Sequence, residues 1–285
     1  MKLTHIAKRS GRLSSFLLGE LQMSTGLMNK LKWGDAITVD GVPQHTNFPV
    51  QPGSIISVRL DEPAPDYPAQ TGALSILYED DHLLVVDKPS GMLIHPSRAQ
   101  NRDTLANFVL GYYQATGQKS AFHPVTRLDR DTYGIVLLGK NAHIHCLLQN
   151  TPIRKIYHAM VYGCPPKDAG PIDAPIARKP LPSLLRFISP EGKPAVTEYE
   201  ILERGEACTK LALRPVTGRT HQLRLHCAHI GTPILGDPQY GSPESMAYSR
   251  QLGLNSQLLC AKSLEFTHPI TGEVLCLESK LNAQI

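Results

Sequence analysis

Asp129 lies between Arg127 and Arg130, directly before an apolar run in the stretch 123–140. A carboxylate with an ordinary pKa of about 3.9 is ionised at neutral pH, so it can act as a nucleophile or stabilise a nearby positive charge. The run 135–138 predicts a buried strand, which places the acid on the turn leading into a sheet. The alternative is a solvated turn whose carboxylate only balances the two arginines.

Two later segments carry further candidate groups. Alternation across residues 154–162 predicts a strand, and its period of two places Lys155 and Tyr157 on one face. A tyrosine at such a position is also common as simple packing. Arg219 comes just before a predicted helix, whose first N–H groups favour anions, so this arginine can reinforce a binding point for a carboxylate or phosphate. The alternative for Arg219 is an exposed arginine in a loop.

The sequence offers no pattern that indicates metal or nucleotide chemistry. It contains no Walker loop, no G-x-G-x-x-G and no H-E-x-x-H motif. Its six cysteines include no C-x-x-C pair, which is typical of reduced thiols in a cytosolic protein and not of a zinc site or a disulfide framework. We therefore predict no metal and no cofactor. The nearest metal-like cluster has a spacing that fits no zinc pattern: His221, His226, Cys227 and His229.

Hydrophobic patterns after residue 74 predict an α/β (α+β) fold, with a mixed, largely antiparallel sheet and flanking helices. The proline-rich segment 163–187 is predicted as a long loop that could lie over a substrate. The predicted strands are 76–80, 83–86, 135–138, 154–162, 197–202, 208–213, 258–266 and 274–277. The predicted helices are 103–113, capped by Asp103, then 142–149, and a third capped by Thr220 and closed by Gly231.

Residues 1–62 are predicted to form a small separate module. The first 60 residues hold seven Lys/Arg against three Asp/Glu, which leaves 22 of each for the rest of the chain. Two short helices, 14–21 and 24–33, precede strands around the Asp40-Gly41 turn. This order resembles the α-L RNA-binding module of ribosome-associated proteins, and a compact basic unit is typical of polyanion binding. The alternative is a structural or dimerisation cap. A proline-rich linker, 63–73, precedes the larger domain, 74–285.

Composition favours a cytoplasmic protein. Hydrophobic residues make up 41% of the chain and charged residues 19%, which is ordinary for a globular protein. No stretch approaches the roughly 18 apolar residues of a membrane helix, and the first residues lack the apolar core of a signal peptide. We expect a monomer.

Several motifs resemble, in order, those of the RluA-type pseudouridine synthases. They are K-P-S-G-M-L-I-H-P, R-L-D-R-D-T with the following G-x-x-x-L-x-K, the K-x-Y strand, G-R-T-H-Q-L-R-x-H and G-D-P-Q-Y-G. The resemblance spans about residues 74 to 280. Two positions depart from the family pattern, because Thr126 stands where His is usual and Tyr133 where Ser is usual. Neither is a reacting group, so we expect effects on loop packing and target choice.

The resemblance implies that the chain isomerises uridine to pseudouridine in structured RNA. Asp129 would act at ribose C1′ as the catalytic carboxylate, in the way that carboxylates act in glycosidases. Arg219 would pair with Asp129 and hold it ionised. Tyr157 would stack on the base and could help to move the C5 proton. The reaction neither adds nor removes atoms, so no cofactor is implied.

The resemblance also implies RNA contacts. Arg127 would enter the RNA stem and take the place of the flipped uridine, because a stacked base is inaccessible. Lys155 and Arg130 would contact phosphate, although Arg130 could equally form an internal ion pair. Large-subunit ribosomal RNA is the expected substrate, with transfer RNA next. The alternatives are a non-catalytic RNA-binding or ribosome-assembly factor on the same fold, and a carboxylate-dependent nucleoside or glycoside hydrolase.

Overall fold

The computed structural model describes residues 2–62, 65–97, 99–180, 183 and 185–284. Its N-terminal part is a four-stranded antiparallel sheet of order β1-β6-β3-β4, with a two-stranded ribbon, β2-β5, and two short helices. These elements are β1 (Lys2–Ile6), β2 (Gly11–Arg12), α1 (Leu13–Leu18), α2 (Thr25–Leu31), β3 (Ile37–Val39), β4 (Val42–Pro43), β5 (Pro49–Val50) and β6 (Ile55–Arg59).

The N-terminal part has an apolar core of its own. Buried Phe16 on α1 belongs to this core together with Ile37 and Ile56 of the sheet. Ser24 accepts a hydrogen bond from the N–H of Leu27 at 3.1 Å and so caps α2. Both predicted helices exist, but they are shorter than 14–21 and 24–33. The sequence patterns did not predict β1, which forms the edge of the sheet against β6.

The larger part contains the remaining strands and helices. They are β7 (Ser75–Glu79), β8 (Leu83–Lys88), α3 (Leu105–Ala115), β9 (His123–Pro124), β10 (Tyr133–Gly139), α4 (Ala142–Gln149), β11 (Ile153–Tyr162), β12 (Ala169–Asp173), β13 (Ile176–Arg178), β14 (Arg186–Ile188), β15 (Val196–Arg204), β16 (Cys208–Pro215), α5 (Gln222–His229), α6 (Pro243–Gln251), β17 (Leu259–Thr267) and β18 (Val274–Glu278). No helix of the described residues has the length and apolar character that crossing a bilayer requires.

A ten-stranded sheet organises this part, in the order β12-β15-β16-β11-β17-β10-β8-β7, with β18 on β17 and β9 on β10. Every pairing is antiparallel except β10 with β17, so the predicted mixed, largely antiparallel sheet is confirmed. The parallel contact depends on Gly134. Its φ is +105°, and a Cβ there would lie 2.4 Å from the carbonyl oxygen of Ala261.

Side-chain alternation places cores on both faces of this sheet. Leu84 and Val136 belong to the core that α3 covers, whereas Leu83 and Leu137 belong to the core that α4 covers. All six residues of β8 and all seven of β10 are buried, as expected for strands covered on both faces. The turn that carries Asp129 therefore leads into one of the most deeply buried strands of the protein.

Several local predictions need correction. Thr104, not Asp103, caps α3, and Asp103 has a left-handed backbone with φ +58°. His221, not Thr220, precedes the first residue of α5. The predicted loop 163–187 contains β12, which joins the sheet, and part of the β13–β14 hairpin; residues 181, 182 and 184 of this segment lie outside the described residues. Helix α6 was not predicted.

The N-terminal part meets the larger part beside the Asp129 segment. Glu62 accepts a hydrogen bond from the N–H of Ala142 at 2.8 Å, at the first turn of α4, and lies 3.2 Å from Nε2 of His123. Farther along, Gln70 bonds to the backbone and side chain of Asp103. Much of the predicted linker thus packs on the larger part. The domain boundaries stay a prediction, and residues 63 and 64 lie outside the described residues.

Candidate active site

A cleft of about 660 Å³ opens on the larger part. The turn before β10 forms one wall with Asp129, and the segment that leads into α5 forms the opposite wall. Strand β11 contributes Lys155 and Tyr157 to the same cleft. Three segments that are distant in the sequence therefore meet at one site, as the motifs predicted.

Arg224 on α5 is the partner of Asp129. Its Nη1 donates to Oδ2 of Asp129 at 3.1 Å. On the other side Nε and Nη2 donate to the two carboxylate oxygens of Asp237 at 2.7 and 2.8 Å, and Nη2 also donates to Gln239 at 2.9 Å. Because Asp237 binds the guanidinium through two hydrogen bonds, the third nitrogen, Nη1, is held in a fixed direction toward Asp129.

Burial makes this network strong. The side chain of Arg224 is 5% exposed and that of Asp237 is 1% exposed, whereas Asp129 keeps 28% exposure toward the cleft. Burial alone would lower the pKa of Arg224, but the hydrogen bonds and charges of Asp237 and Asp129 raise that pKa above its ordinary value. The guanidinium is therefore a permanent cation, and of its two carboxylate partners Asp129 is the accessible one.

The predicted ion pair between Arg219 and Asp129 is wrong. Arg219 is exposed, and its Nε donates to the carbonyl oxygen of Pro194 at 3.0 Å. Its backbone N–H donates to the side chain of Gln222 at 2.9 Å, which fixes the start of α5. Arg219 still lines the cleft. The sequence pattern placed the partner of Asp129 just before the helix, at Arg219. The arginine that pairs with Asp129 is Arg224, five residues later in the first turn of α5.

Tyr157 and Lys155 occupy the positions that the strand pattern predicted. The pairing of β11 with β17 shifts register between Ile156 and Tyr157, yet both predicted side chains line the cleft. Burial raises the pKa of Tyr157 well above its ordinary value, and the charge of Asp129 raises it further. The phenol therefore stays protonated at neutral pH. Burial also lowers the pKa of Lys155.

The two arginines that flank Asp129 differ in their contacts. Arg127 is exposed and lines the cleft, so its side chain is available to a ligand. Arg130 also lines the cleft, but its Nε donates to Asp131 at 3.1 Å with 61% of the side chain exposed. A surface pair of this kind contributes little stability, so the pair can open for another anion.

Lys88 holds the opposite side of the Asp129 turn, and sequence reasoning gave it no role. Its ammonium donates to three carbonyl oxygens, those of Pro89 at 2.9 Å, Met92 at 2.8 Å and Arg130 at 2.8 Å, and the residue is 0% exposed. The lysine of the K-P-S-G motif therefore ties that loop to the turn. Its burial lowers the pKa to about 8, although the charges of Asp131 and Asp129 oppose the shift.

His221 is a further group that the sequence did not single out for this site. Its φ is +58°, a left-handed conformation that is rare for a residue other than glycine. Nδ1 shares a hydrogen bond of 2.8 Å with the hydroxyl of Tyr240, and Nε2 lies 3.9 Å from Oδ2 of Asp129. Burial lowers the pKa of His221, so the imidazole is mostly neutral at neutral pH. Strained residues of this kind cluster at functional sites.

The arrangement suits covalent or electrostatic chemistry at a carbon that develops positive charge. It offers an accessible carboxylate, a buried cation that orients this carboxylate, and a protonated phenol beside them. Among the described residues, no group of three His, Cys, Asp or Glu side chains could hold a metal ion.

Comparison with known proteins identifies the family. Residues 82–229 match the sequence model of the family described as RNA pseudouridylate synthase. The chain is 35% identical over 262 residues to the uncharacterized RNA pseudouridine synthase YjbO of Bacillus subtilis, with 90% of both chains covered. It is 37% identical over 253 residues to ribosomal large subunit pseudouridine synthase D of Nitrosomonas europaea, with 86% of this chain and 73% of the relative covered. The chain belongs to the RNA pseudouridylate synthase family.

Solved structures agree with this assignment. Human RNA pseudouridylate synthase domain containing 4 is similar, with a TM-score of 0.59 and 27% identity over 73% of this chain and 88% of the human chain. A second human protein, RNA pseudouridylate synthase domain containing 1, has the same fold at a TM-score of 0.59 and 24% identity, with 76% of this chain and 93% of the human chain covered. The protein is thus an isomerase that converts uridine to pseudouridine in RNA.

The two arginines at the start of α5 permit a matched test of stability. Arg224→Gln leaves buried Asp237 without its counter-charge, so we expect the free energy of unfolding to fall by about 3–5 kcal/mol. Arg219→Gln removes an exposed side chain, so we expect a change below about 0.5 kcal/mol. Urea unfolding of both variants, followed by circular dichroism, measures the difference. Equal losses would show that Arg224 is not the central ion-pair residue.

Lys88 gives a pH-dependent prediction. Its folded pKa of about 8 lies below the ordinary 10.5, so the unfolded chain binds more protons between these two values. The contribution of this group to the free energy of unfolding therefore rises with pH across that window, by roughly 3 kcal/mol in all. Urea unfolding from pH 7 to pH 10, compared between the wild type and Lys88→Met, should show the rise in the wild type alone. Parallel pH profiles would contradict the lowered pKa.

Proposed function

We propose that this enzyme acts on large-subunit ribosomal RNA and that Asp129 is its acting carboxylate. The observation that supports this role most directly is the position of Asp129, which is partly exposed in the cleft and fixed by buried Arg224. Two supports for the substrate are the names of relatives, among them the ribosomal large subunit synthases D of Nitrosomonas europaea and Pseudomonas aeruginosa, and the basic N-terminal part of this chain. Transfer RNA is the next candidate.

The reaction breaks the bond from uracil N1 to ribose C1′ and joins C1′ to C5 of the same base. The C5 proton leaves and N1 gains a proton, so substrate and product are isomers. Asp129 attacks C1′ or stabilises the positive charge that develops there when the N1 bond breaks. Arg224 keeps the carboxylate ionised and holds its direction, which lowers the reorganisation that reaching C1′ requires. Arg224 thus takes the part that the sequence assigned to Arg219.

Other side chains of the cleft hold the nucleotide. Tyr157 presents its ring beside Asp129, where it stacks on the base that has left the RNA helix. Because its pKa is raised, the phenol is a poor base at neutral pH and serves better as a hydrogen-bond donor to the base. Arg127 is exposed at the cleft and fills the space that the flipped uridine leaves. Lys155 and Arg130 contact phosphate oxygens, and Arg130 gives up its pair with Asp131 to do so.

Asp129→Asn tests the catalytic role. The amide keeps the size of the side chain but cannot attack or carry negative charge, so we expect the rate of pseudouridine formation to fall roughly 1000-fold or more. Release of tritium from RNA labelled at uridine C5 measures that rate. Asp131→Asn changes an acid two residues away whose ion pair, among the described residues, is with exposed Arg130, and it should retain activity within about tenfold. Undiminished release with Asp129→Asn would rule out the proposed role, and free uracil as product would indicate a hydrolase.

Substrate choice needs a test in cells. We expect a strain without the gene for this chain to lose pseudouridine at one or more positions of large-subunit ribosomal RNA, while its transfer RNA keeps the parental pattern. Position-resolved mapping of both RNA classes in mutant and parent measures this. A plasmid copy should restore the missing sites, and the same copy with Asp129→Asn should not. Loss confined to transfer RNA would contradict the proposed substrate.

A further inference from the structure

Trp33 is the single tryptophan of the chain, and 75% of its surface is exposed. This is the highest exposed fraction among the large hydrophobic side chains of the described residues. It follows α2 and belongs neither to the buried core of the N-terminal part nor to the side chains packed against that core. Folding therefore leaves most of this large aromatic surface open to solvent.

The indole is flanked by groups that suit a nucleic acid. The ring of His45 lies edge-on to it, with ring centroids 4.9 Å apart and planes at 79°. The ammonium of Lys32 lies 5.3 Å from the indole centroid, within cation–π range. The ring is thus partly held in place, and a positive charge stands beside it. Such a pairing of an aromatic face with a cation is how many proteins hold an unpaired base and its phosphate.

The charges around this surface favour a polyanion. The first 60 residues hold seven Lys/Arg against three Asp/Glu, so positive charge is in excess. Glu20 pairs with Arg9 and Asp35 with Arg59, while Asp40 accepts a hydrogen bond from the backbone N–H of Ile55. Within the described residues, the cations of this part that form no ion pair with a carboxylate are Lys2, Lys8, Arg12, Lys30 and Lys32.

Lys30, at the end of α2, interacts electrostatically with Glu62, the residue that contacts α4 and β9 of the larger part. The pKa of Glu62 is lowered first by its hydrogen bond with His123, and the charge of Lys30, at the end of α2, contributes as well. Lys30 is therefore near enough to Glu62 for their charges to interact. His123 comes two residues before Val125, which lines the cleft.

We propose that Lys30, Lys32, Trp33 and His45 form a stacking platform for an unpaired base of the RNA whose uridine enters the cleft. The lysines contact the flanking phosphates, and the indole stacks on the base face. Base stacking tolerates any sequence, so the platform recognises an unpaired nucleotide and not a particular base. This inference rests on the proposed function, because it assigns a second contact to the same substrate.

Tryptophan fluorescence tests the platform directly, since the 285-residue chain contains no other tryptophan. The protein is titrated with single-stranded oligouridine, with a blunt RNA duplex, and with inorganic polyphosphate as a polyanion without bases. We expect strong quenching with oligouridine and little with duplex or polyphosphate, even where a labelled competitor shows that these two bind. Equal quenching by polyphosphate would show a charge effect without stacking. Saturation with oligouridine and no change in fluorescence would also overturn the proposal.

Variants give an independent readout. Trp33→Ala should weaken binding of fluorescein-labelled oligouridine by about 5- to 150-fold, the range for loss of one stacked base, while Trp33→Phe should retain most of the affinity. Val42→Ala is the matched control, because Val42 is an exposed apolar residue of the same part, 56% exposed, and should change nothing. Unchanged affinity in Trp33→Ala would overturn the platform. If that variant instead altered sedimentation of the free protein, the surface would be a contact between two copies, which also overturns it.

A failure of the platform can be distinguished from a failure of the proposed function. Binding is measured without turnover, and tritium release is measured in the same preparations. We expect Trp33→Ala to raise KM with kcat unchanged within about twofold, because the platform does not touch the reacting atoms. Normal activity and normal KM in Trp33→Ala would refute the platform and leave the enzyme assignment intact. Failure of the wild type to form pseudouridine would refute the proposed function instead.

Discussion

The active site depends on one buried guanidinium that is shared between two carboxylates. Asp237 is almost fully buried, and Arg224 compensates its charge through two hydrogen bonds. Taking such a pair out of water is costly, and only good geometry offsets that cost. The same geometry leaves one guanidinium nitrogen free to hold Asp129, whose carboxylate is the one that solvent and substrate can reach. The ion pair that stabilises buried Asp237 thus also sets the direction of Asp129, the carboxylate that we propose to act on the substrate.

A second buried cation completes this constraint from the opposite side. The ammonium of Lys88 binds the carbonyl oxygen of Arg130, next to Asp129 in the chain, and two carbonyls of its own loop. Thr126 accepts a hydrogen bond from the N–H of Leu137 at 2.9 Å, so the turn is also fixed to β10. A backbone anchored on both sides of Asp129 cannot easily rearrange. Such pre-organisation is what a reaction at a single ribose carbon requires.

The sequence predicted those features that depend on residues near one another in the chain, and it missed those that depend on distant segments. Helix α4 was predicted residue for residue, because Asn141 caps it and its apolar spacing is local. The shared face of Lys155 and Tyr157 follows from the pleat of a strand. Local sequence patterns could not predict which arginine pairs with Asp129. The left-handed backbone of His221 sets where α5 begins, and the choice between two arginines depends on Asp237, which lies in a later segment. Likewise, β12 is a strand only because β15 is available to pair with it.

In the proposed arrangement, the N-terminal part and the cleft contact the same RNA at two places. A cleft that accepts a single flipped uridine can read the base, but almost any RNA contains many uridines. A second contact at a fixed distance raises the effective concentration of those RNAs that can reach both sites at once, without changing the chemistry of the first. The Glu62 contacts to β9 and α4 hold the end of the N-terminal part against the larger part, so the proposed platform is not joined to the cleft by a free tether. With two contacts of this kind, target choice would depend on RNA shape, which a single uridine pocket does not sense.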